Sequence, residues 1–589
     1  MKPYLDVGSA DAYRKEALDQ IPRLLSLMDR NAFSPTYGCA DRTYWLDKSI
    51  DFSSAIMQYS VHSLALVYAH DFPENAYYHQ PKIKEWILAS MSYWSKIQKN
   101  DGSFDEFYPN ERGWAGPTGF LLYAMLSAFE LLGNEFPPER KKEFFETCRK
   151  AAIFLAKYDE HGILANHHAM ALLPIYYASH VLGDESLLYN FEEKLDYFLN
   201  LQSPEGWFLE YDGADLGYLS AGISFLTKLT QIMERDSDHP NHHAWLKKIY
   251  ACIPPAIAFA SHFAYPNGYY AGTMGSRQTL HFYPHGFEIH GRKNPLAAGV
   301  AEHLAKGLSE GSLVPPRIMP DRYVAYRVNE FLQSYLEAFP RSKTKIGLIP
   351  FQEKAFQKVF WEARMMVKNS PAYYATINLA KGGVIKLFDK KKKSLAINDC
   401  GVLLEDGEGN TLTTQWIDSS YQPSFSEEGC TVSGKMHVWA TELPTPIKMM
   451  ALRSALITFG ESTDLAYKIK GKIRERIILK NKAVPLSFER KITFSPQGCE
   501  ILDTIDATEY SHSFVRGKVG DEFSIRYVPQ SLYFQLQELG VSGRMLSSVE
   551  IDSLNQNKRF AMRQKIDLPL KKETKSMKGV IKSKEGETK

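Results

Sequence analysis

The apolar residues of this 589-residue chain change their spacing once, and that change constrains the fold more than any other feature. From about residue 11 to 340 they recur at helical intervals, as in SSAIMQYSVHSLALVYAHDF, GFLLYAMLSAFELLG and GISFLTKLTQIMER. Past PRSKTKIGLIPF, near 340–351, the runs become short, β-branched and alternating: YYATINLAKGGVIKLFD, SLAINDCGVLLEDGEGNTLTTQW, SFERKITFSPQGCEILDTIDA. Within the helical part a glycine followed by aromatic or aliphatic residues returns at Gly102, Gly162, Gly206 and Gly268, one to two helical hairpins apart. A repeated helix pair whose connecting loops share one rim accounts for that recurrence. The expected fold is therefore α+β and multidomain: an (α/α) toroid of helical hairpins over 1–345, an antiparallel β-sandwich over 346–570, and a disordered Lys-rich tail over 571–589. Lys390 to Lys393, a basic run after one β-like stretch, reads as a solvated hairpin.

Charge and cysteine content exclude several functions. With Lys+Arg 70 against Asp+Glu 68 the net charge is +2, so the basic excess that nucleic acid demands is missing. Six scattered cysteines with no CxxC pair argue against a zinc knuckle or a disulfide framework, and no metal or other cofactor is expected. The N-terminus MKPYLDVGSADAYRKEALDQ has no apolar leader core and no run of about 18 apolar residues follows, so no membrane span is expected. On this reading the chain belongs in the cytoplasm, or in the periplasm if a leader has been removed. The 13% aromatic content suits a carbohydrate cleft as well as a core.

Four polar-aromatic clusters lie at helix boundaries in the first half: GSFDEFYPNERGWAGPTGF with Asp105, Glu106, Asn110, Arg112 and Trp114; ILANHHAMALL with Asn166, His167 and His168; EGWFLEYDGADLGYLSAGISFL with Glu210, Tyr211, Asp212, Asp215 and Tyr218; and GYYAGTMGSRQTLHFYPHGFEIHGR with Arg277, His281 and His285. If the loops share a rim, these groups converge on one cleft.

The order of helical repeats, an Asn-His pair opening a helix, a DG-containing aromatic loop carrying Glu and Gly-Tyr some 40 to 50 residues on, and then a β-sandwich resembles the heparinase II/III-like polysaccharide lyases, including alginate and oligoalginate lyases and related uronyl epimerases. The resemblance implies an anionic oligo- or polysaccharide substrate. It implies that Asn166 and His167 bind or neutralise a uronate carboxylate, that Glu210 is the loop carboxylate, and that Tyr218 moves the proton, with Tyr211 its rival.

Elimination needs these residue types. The proton at C5 of a uronate becomes removable only once the neighbouring carboxylate is neutralised, a task for Asn166, a protonated His or Arg277. A neutral His or a Tyr then takes the proton, and a Tyr or His returns one to the departing O4 oxygen. Asn166, His167, Tyr218 and His281 are the expected catalytic residues; Trp114, Arg112, His168, Glu210, Tyr211, Arg277 and His285 are expected to bind substrate. His168 alone also reads as a core histidine. One departure stands out: relatives place a further His early in the sandwich, whereas AKGGVIKLFDKKKKSLAINDC has none, which leaves His437 as a later candidate and His281 or His285 as substitutes. Three other readings stay open: C5 epimerisation in the same cleft; glycoside hydrolysis by Asp105 or Glu106 with Asp212 or Asp215; and glycan binding without catalysis.

Overall fold

The computed structural model describes residues 6–110, 115–158, 165–235, 239–439, 443–466, 468, 482–520, 533–540 and 543–568. Arg112, Trp114, the Gly162 repeat position and the 571–589 tail lie outside the described residues.

The helices are α1 (Asp11–Leu18), α2 (Ile21–Leu27), α3 (Arg42–Trp45), α4 (Ser60–Ala69), α5 (Pro81–Ile97), α6 (Ala115–Leu132), α7 (Pro138–Lys157), α8 (Ala165–Leu182), α9 (Phe191–Leu199), α10 (Leu216–Met233), α11 (His242–Ser261), α12 (His285–Gly291), α13 (Pro295–Ser309) and α14 (Asp321–Leu336). Six of them close a ring: α4 packs on α6, α6 on α8, α8 on α10, α10 on α12, α12 on α14, and α14 back on α4. Around it run α5, α7, α9, α11, α13 and α1. Composition sorts the two layers. Inner α6 and α8 are buried on nearly every side, whereas outer α7 (PERKKEFFETCRKAAIFLAK) turns Phe144, Cys148, Ala151 and Leu155 inward and its charges to water. The stretch Ala115–Glu135 is long and apolar enough to cross a bilayer, and 78% of its apolar window is buried inside the ring.

The glycine recurrence has a physical cause. Gly206 has φ +101°, and a Cβ there would lie 2.2 Å from the Pro255 carbonyl of α11; Gly102, at φ +91°, stands equally close to the Lys150 carbonyl of α7. Each glycine lets the loop after an outer helix lie against the next outer helix. The flanking contacts repeat as well. Gln98 and Gln202 each donate to their glycine's carbonyl and to the facing helix, and Phe104 stacks on Trp94 as Phe208 stacks on Phe198.

A two-residue hairpin, β1 (Leu209–Glu210) and β2 (Gly213–Ala214), interrupts the helices. The C-terminal part is two antiparallel sheets. The first is a meander of β3 (Phe356–Phe360), β4 (Met365–Asn369), β5 (Tyr373–Asn378), β6 (Val384–Asp389) and β7 (Ser394–Asp399). The second holds β8 (Val402–Asp406), β9 (Thr411–Thr413), β10 (Gln422–Phe425), β11 (Gly429–Trp439), β12 (Ala483–Ser495), β13 (Gly498–Asp506), β14 (Phe514–Val519), β15 (Arg544–Met545) and β16 (Arg559–Asp567). Strand alternation divides the first sheet between two cores. Met365, Val367, Tyr374, Val384 and Phe388 join the helical core; Met366, Tyr373, Ala375, Ile377, Ile385 and Leu387 face the second sheet. The molecule is thus a toroid, a sheet and a second sheet in stacked layers. Lys390–Lys393 form the turn between β6 and β7, with Asp389 accepting from the Lys391 and Lys392 amides.

The sheets also bolt the long loop between α11 and α12. Asn378 Nδ2 donates to the Met274 carbonyl (2.8 Å), and buried Lys381 Nζ to the carbonyls of Thr273 (3.0 Å) and Gly275 (2.8 Å). Between β11 and β12 the chain leaves the sandwich as α15 (Pro446–Phe459) and reaches the toroid rim, where Arg453 pairs with Asp51 and Thr463 donates to Asp101.

Candidate active site

The site lies at the end of the ring where α8, α10 and α14 begin. Asn166 stands in the first turn of α8, and its backbone N–H (3.0 Å) and side-chain Nδ2 (2.8 Å) both donate to the carboxylate of Glu210. Glu210 is positioned by the hairpin. Tyr211 and Asp212 occupy its two turn positions with φ +52° and +65°, the left-handed pair that a two-residue turn of this kind requires. Glu210 is 2% exposed, and burial, opposed by the two Asn166 hydrogen bonds, pushes its carboxyl up from 4.5 to about 8.

Asp215 caps α10, accepting from the Tyr218 amide (3.0 Å), and its other oxygen takes the Arg277 amide (3.1 Å). The two segments can meet because Gly217 has no side chain; a Cβ there would lie 2.4 Å from Thr279 Cγ2. Arg277 is thereby set against the hairpin and helix, with its guanidinium 4.8 Å from the ring centre of Tyr211 and 5.1 Å from that of Tyr218, and Nη1 donates to the Tyr218 hydroxyl. Burial raises the Tyr218 hydroxyl well above 10 while Arg277 pulls it the other way. The Tyr218 phenol is therefore a proton-bearing group beside a permanent cation.

His167 is half-buried at the head of α8, and a chain of ring contacts runs from it around the mouth: Phe120 at 6.5 Å, then Tyr326 at 5.7 Å, Tyr323 at 5.2 Å and His281 at 4.9 Å. Arg322 lies 4.3 Å over the ring of Phe107 and pairs with Glu106. His281 is buried and stacks on Tyr533 from the sandwich side, with Nε2 2.9 Å from the tyrosine hydroxyl; burial and the cations Arg327 and Arg277 hold it well below its usual value, so it is neutral.

Thus Asn166, Glu210, Tyr211, Tyr218 and Arg277 form one contact group, with His167 and His281 linked to it through the aromatic chain. Two expectations need correction. His168, one residue and about 100° further round the helix, is buried against Tyr197 of α9 rather than turned toward this group. His285 lies deeper in the ring, beside Glu330, and lines a different cavity. His437 is fully buried in the sandwich between Asp418 (2.9 Å) and Tyr421 (3.1 Å). Three of the four carboxylates weighed for hydrolysis have structural duties: Asp215 caps α10, Asp105 pairs with Lys99 (2.7 Å), and Glu106 pairs with Arg322; the fourth, Asp212, stands in the β1–β2 turn. Sequence reasoning missed Arg322, Tyr323, Tyr326 and Tyr533. DRYVAYR, at a helix start after Pro320, carries the first three with the tyrosines at i and i+3; nothing local marks Tyr533. Among the described residues no group of three or more His, Cys, Asp or Glu side chains is placed to hold a metal ion.

Fold and site together define an (α/α) toroid with an antiparallel β-sandwich and a Tyr-Arg pair at the toroid mouth. The sequence matches no family model and no curated protein. Among solved structures it is similar to the Streptomyces coelicolor A3 chondroitin AC lyase in complex with chondroitin sulphate, at 9% identity over 88% of this chain and 68% of that one, with a TM-score of 0.49. It is also similar to heparinase III, at 12% identity over 87% and 74% of the two chains, with a TM-score of 0.45. At such identities and scores the chemistry has to come from this chain's own side chains.

Proposed function

We propose that this protein is a polysaccharide lyase that cleaves a uronic-acid-containing glycan by β-elimination at the toroid mouth. The observation that carries the reading is the Arg277–Tyr218 hydrogen bond next to the Asn166–Glu210 clasp.

Arg277, cationic at every working pH, neutralises the uronate carboxylate and so acidifies the proton at C5. Asn166 assists. An amide nitrogen has two hydrogens; Glu210 holds one, which fixes the side chain, and the other serves the substrate. Glu210 itself is mostly protonated below pH 8, so it adds no like charge beside an incoming carboxylate. His167, half-exposed at the rim, takes the C5 proton. Tyr218, a neutral phenol, gives its proton to the departing O4 oxygen, and Arg277 stabilises the phenolate left behind. His281 and Tyr533 act as positioning residues for the Arg277 loop. The aromatic chain from Phe120 to Tyr323 supplies flat faces for sugar rings.

The test is incubation with alginate, heparan, chondroitin and hyaluronan oligosaccharides, monitored by the ultraviolet absorbance of the unsaturated uronate product. A rise with one of them that disappears in Tyr218→Phe is expected. New reducing ends without that chromophore would overturn elimination in favour of hydrolysis, and deuterium entering C5 from heavy water without cleavage would replace it with epimerisation.

A further inference from the structure

The mouth holds a second cation that the elimination chemistry does not use. Arg322 is the second residue of α14, and its guanidinium lies 4.3 Å over the ring of Phe107, in the rim segment before α6, and 5.5 Å from the ring centre of Tyr323. These contacts use only part of its hydrogen-bonding capacity. Nη2 donates to Glu106, and Nε is buried without a partner. Nη1 has no partner among the described residues and is not buried in that way; the side chain is 26% exposed, against 3% for Glu106. The pair therefore keeps its carboxylate inside and presents its cationic end to solvent. Glu210 treats Asn166 in the same manner, holding one amide hydrogen and leaving the other. Fixed between Phe107 and Glu106, the guanidinium is preorganised to receive an anion.

Its place in the mouth says which part of a glycan it meets. Tyr323, beside it, packs on Tyr326 (5.2 Å) and on His281 (4.9 Å), within the aromatic chain that lines the entrance. Burial raises the Tyr323 phenol, while Arg277 and Arg322 both pull it back, so the tyrosine stands in the field of the two cations. Arg277 is hydrogen-bonded to Tyr218 and serves the sugar that is cleaved. The partners of Arg322 are Glu106, Phe107 and Tyr323, none of them in the Asn166–Glu210–Tyr218–Arg277 group, so an anion bound there belongs to a different sugar.

We propose that Arg322 reads an anionic group, carboxylate or sulfate, on the sugar next to the cleaved uronate. The inference rests on the lyase reading for its cleft and narrows the substrate: the preferred glycan carries charge on consecutive sugars. A chain whose uronates alternate with neutral sugars offers Nη1 no charged partner.

The experiment is calorimetric titration of the full chain, as the Tyr218→Phe variant so that the probes stay whole, with tetrasaccharides of alginate, of unsulfated chondroitin and of sulfated chondroitin. Tighter binding of alginate than of unsulfated chondroitin marks a carboxylate at Arg322, and tighter binding of sulfated chondroitin marks a sulfate. One of these preferences is expected, of about ten- to a hundredfold, the worth of one hydrogen bond to a charged group. Adding Glu106→Gln together with Arg322→Gln, which strands no charge, should abolish the preference and leave binding of unsulfated chondroitin unchanged. Arg322→Lys, which keeps a cation for Glu106 but has no second nitrogen, should abolish it as well. The proposal is overturned if no probe binds, if neither charged probe binds more tightly than unsulfated chondroitin, or if the preference survives in whichever variant keeps the parent melting temperature. Binding requires no turnover, so a failure of the protein with Tyr218 intact to form unsaturated product overturns elimination without deciding this preference, and the two readings fail separately.

Discussion

Replacing Glu210 by Gln tests the electrostatics at the centre of the site. In the unfolded chain this carboxyl loses its proton near 4.5, and in the folded protein near 8. Below pH 4.5 both states are protonated and the native state has the full benefit. As pH rises, the unfolded chain gives up its proton while the buried carboxyl keeps it, so stability falls until the folded group also ionises near 8, and is flat beyond. At about 1.4 kcal/mol per pH unit, the loss across that window is about 5 kcal/mol. A glutamine at this position would have nothing to titrate. It would instead turn an NH2 toward one of the two Asn166 donors, at a pH-independent cost of about 1–3 kcal/mol. The assay is urea unfolding followed by circular dichroism at a series of pH values for both proteins. The readout is the wild-type advantage over the variant, in which the other titrating groups cancel. It should shrink by about 5 kcal/mol between pH 4.5 and 8. An advantage that stays constant over that range would mean that the carboxyl ionises at its ordinary value and would refute the argument from burial. On the proposed reading, kcat/KM for the lyase reaction also declines as pH rises through about 8, when a second negative charge appears beside the substrate carboxylate.

Other substitutions probe the parts that hold this group together. Arg277→Lys keeps the charge but loses the planar guanidinium over Tyr211 and Tyr218; kcat should drop about a hundred- to a thousandfold, the cost of losing one preorganised donor, with the melting temperature little changed. Lys381→Met leaves the Thr273 and Gly275 carbonyls without their donor; a loss of about 2–4 kcal/mol is expected, together with slower turnover as the Arg277 loop loosens, and unaltered turnover would show that the sheet does not position that loop. Gly206→Ala puts a Cβ 2.2 Å from the Pro255 carbonyl at a φ of +101°; about 3 kcal/mol or more of destabilisation is expected by chemical denaturation. Arg490→Met strands Asp399 and Asp503 in the sandwich core; breaking such a buried pair should cost about 3–5 kcal/mol, without changing product identity.

The layered fold was legible because it rests on local periodicity. The helical spacing marks helices buried nearly all round, such as α6, and helices with one wet face, such as α7; the glycine recurrence marks backbone that must approach a neighbouring helix at Gly102 and Gly206. The site was legible where it is made of helix starts, at Asn166 and Tyr218, and in the Gly-bounded loop of Arg277. What the sequence could not disclose is direction. His167 and His168 are equivalent as letters, and only the packing of α8 between α6, α10 and α9 turns one toward Phe120 and the other onto Tyr197. His281 and His285 sit four residues apart, but the loop that carries them descends into the ring between one and the other. Tyr533 meets His281 across 252 residues of sequence, a contact that no local pattern encodes.

The ring itself supplies a reason for where the site lies. With the parallel inner helices starting at one end, their dipoles set up a positive field where Asn166, Tyr218 and Arg322 stand, the Asn166 and Tyr218 amides themselves being taken by Glu210 and Asp215. Arg277 and Arg322 add to it. The carbonyl ends of α4, α10 and α14 gather at the other end, where His62 and His285 are held neutral by burial. The sandwich is attached at the end where these helices start, and there it contributes Asn378, Lys381 and Tyr533 to the loop between α11 and α12, which Asp215 and Glu210 also hold from the helical side. A toroid without its sandwich would therefore keep Asn166, Glu210 and Tyr218 in register while losing part of what holds the loop that sets Arg277 against them.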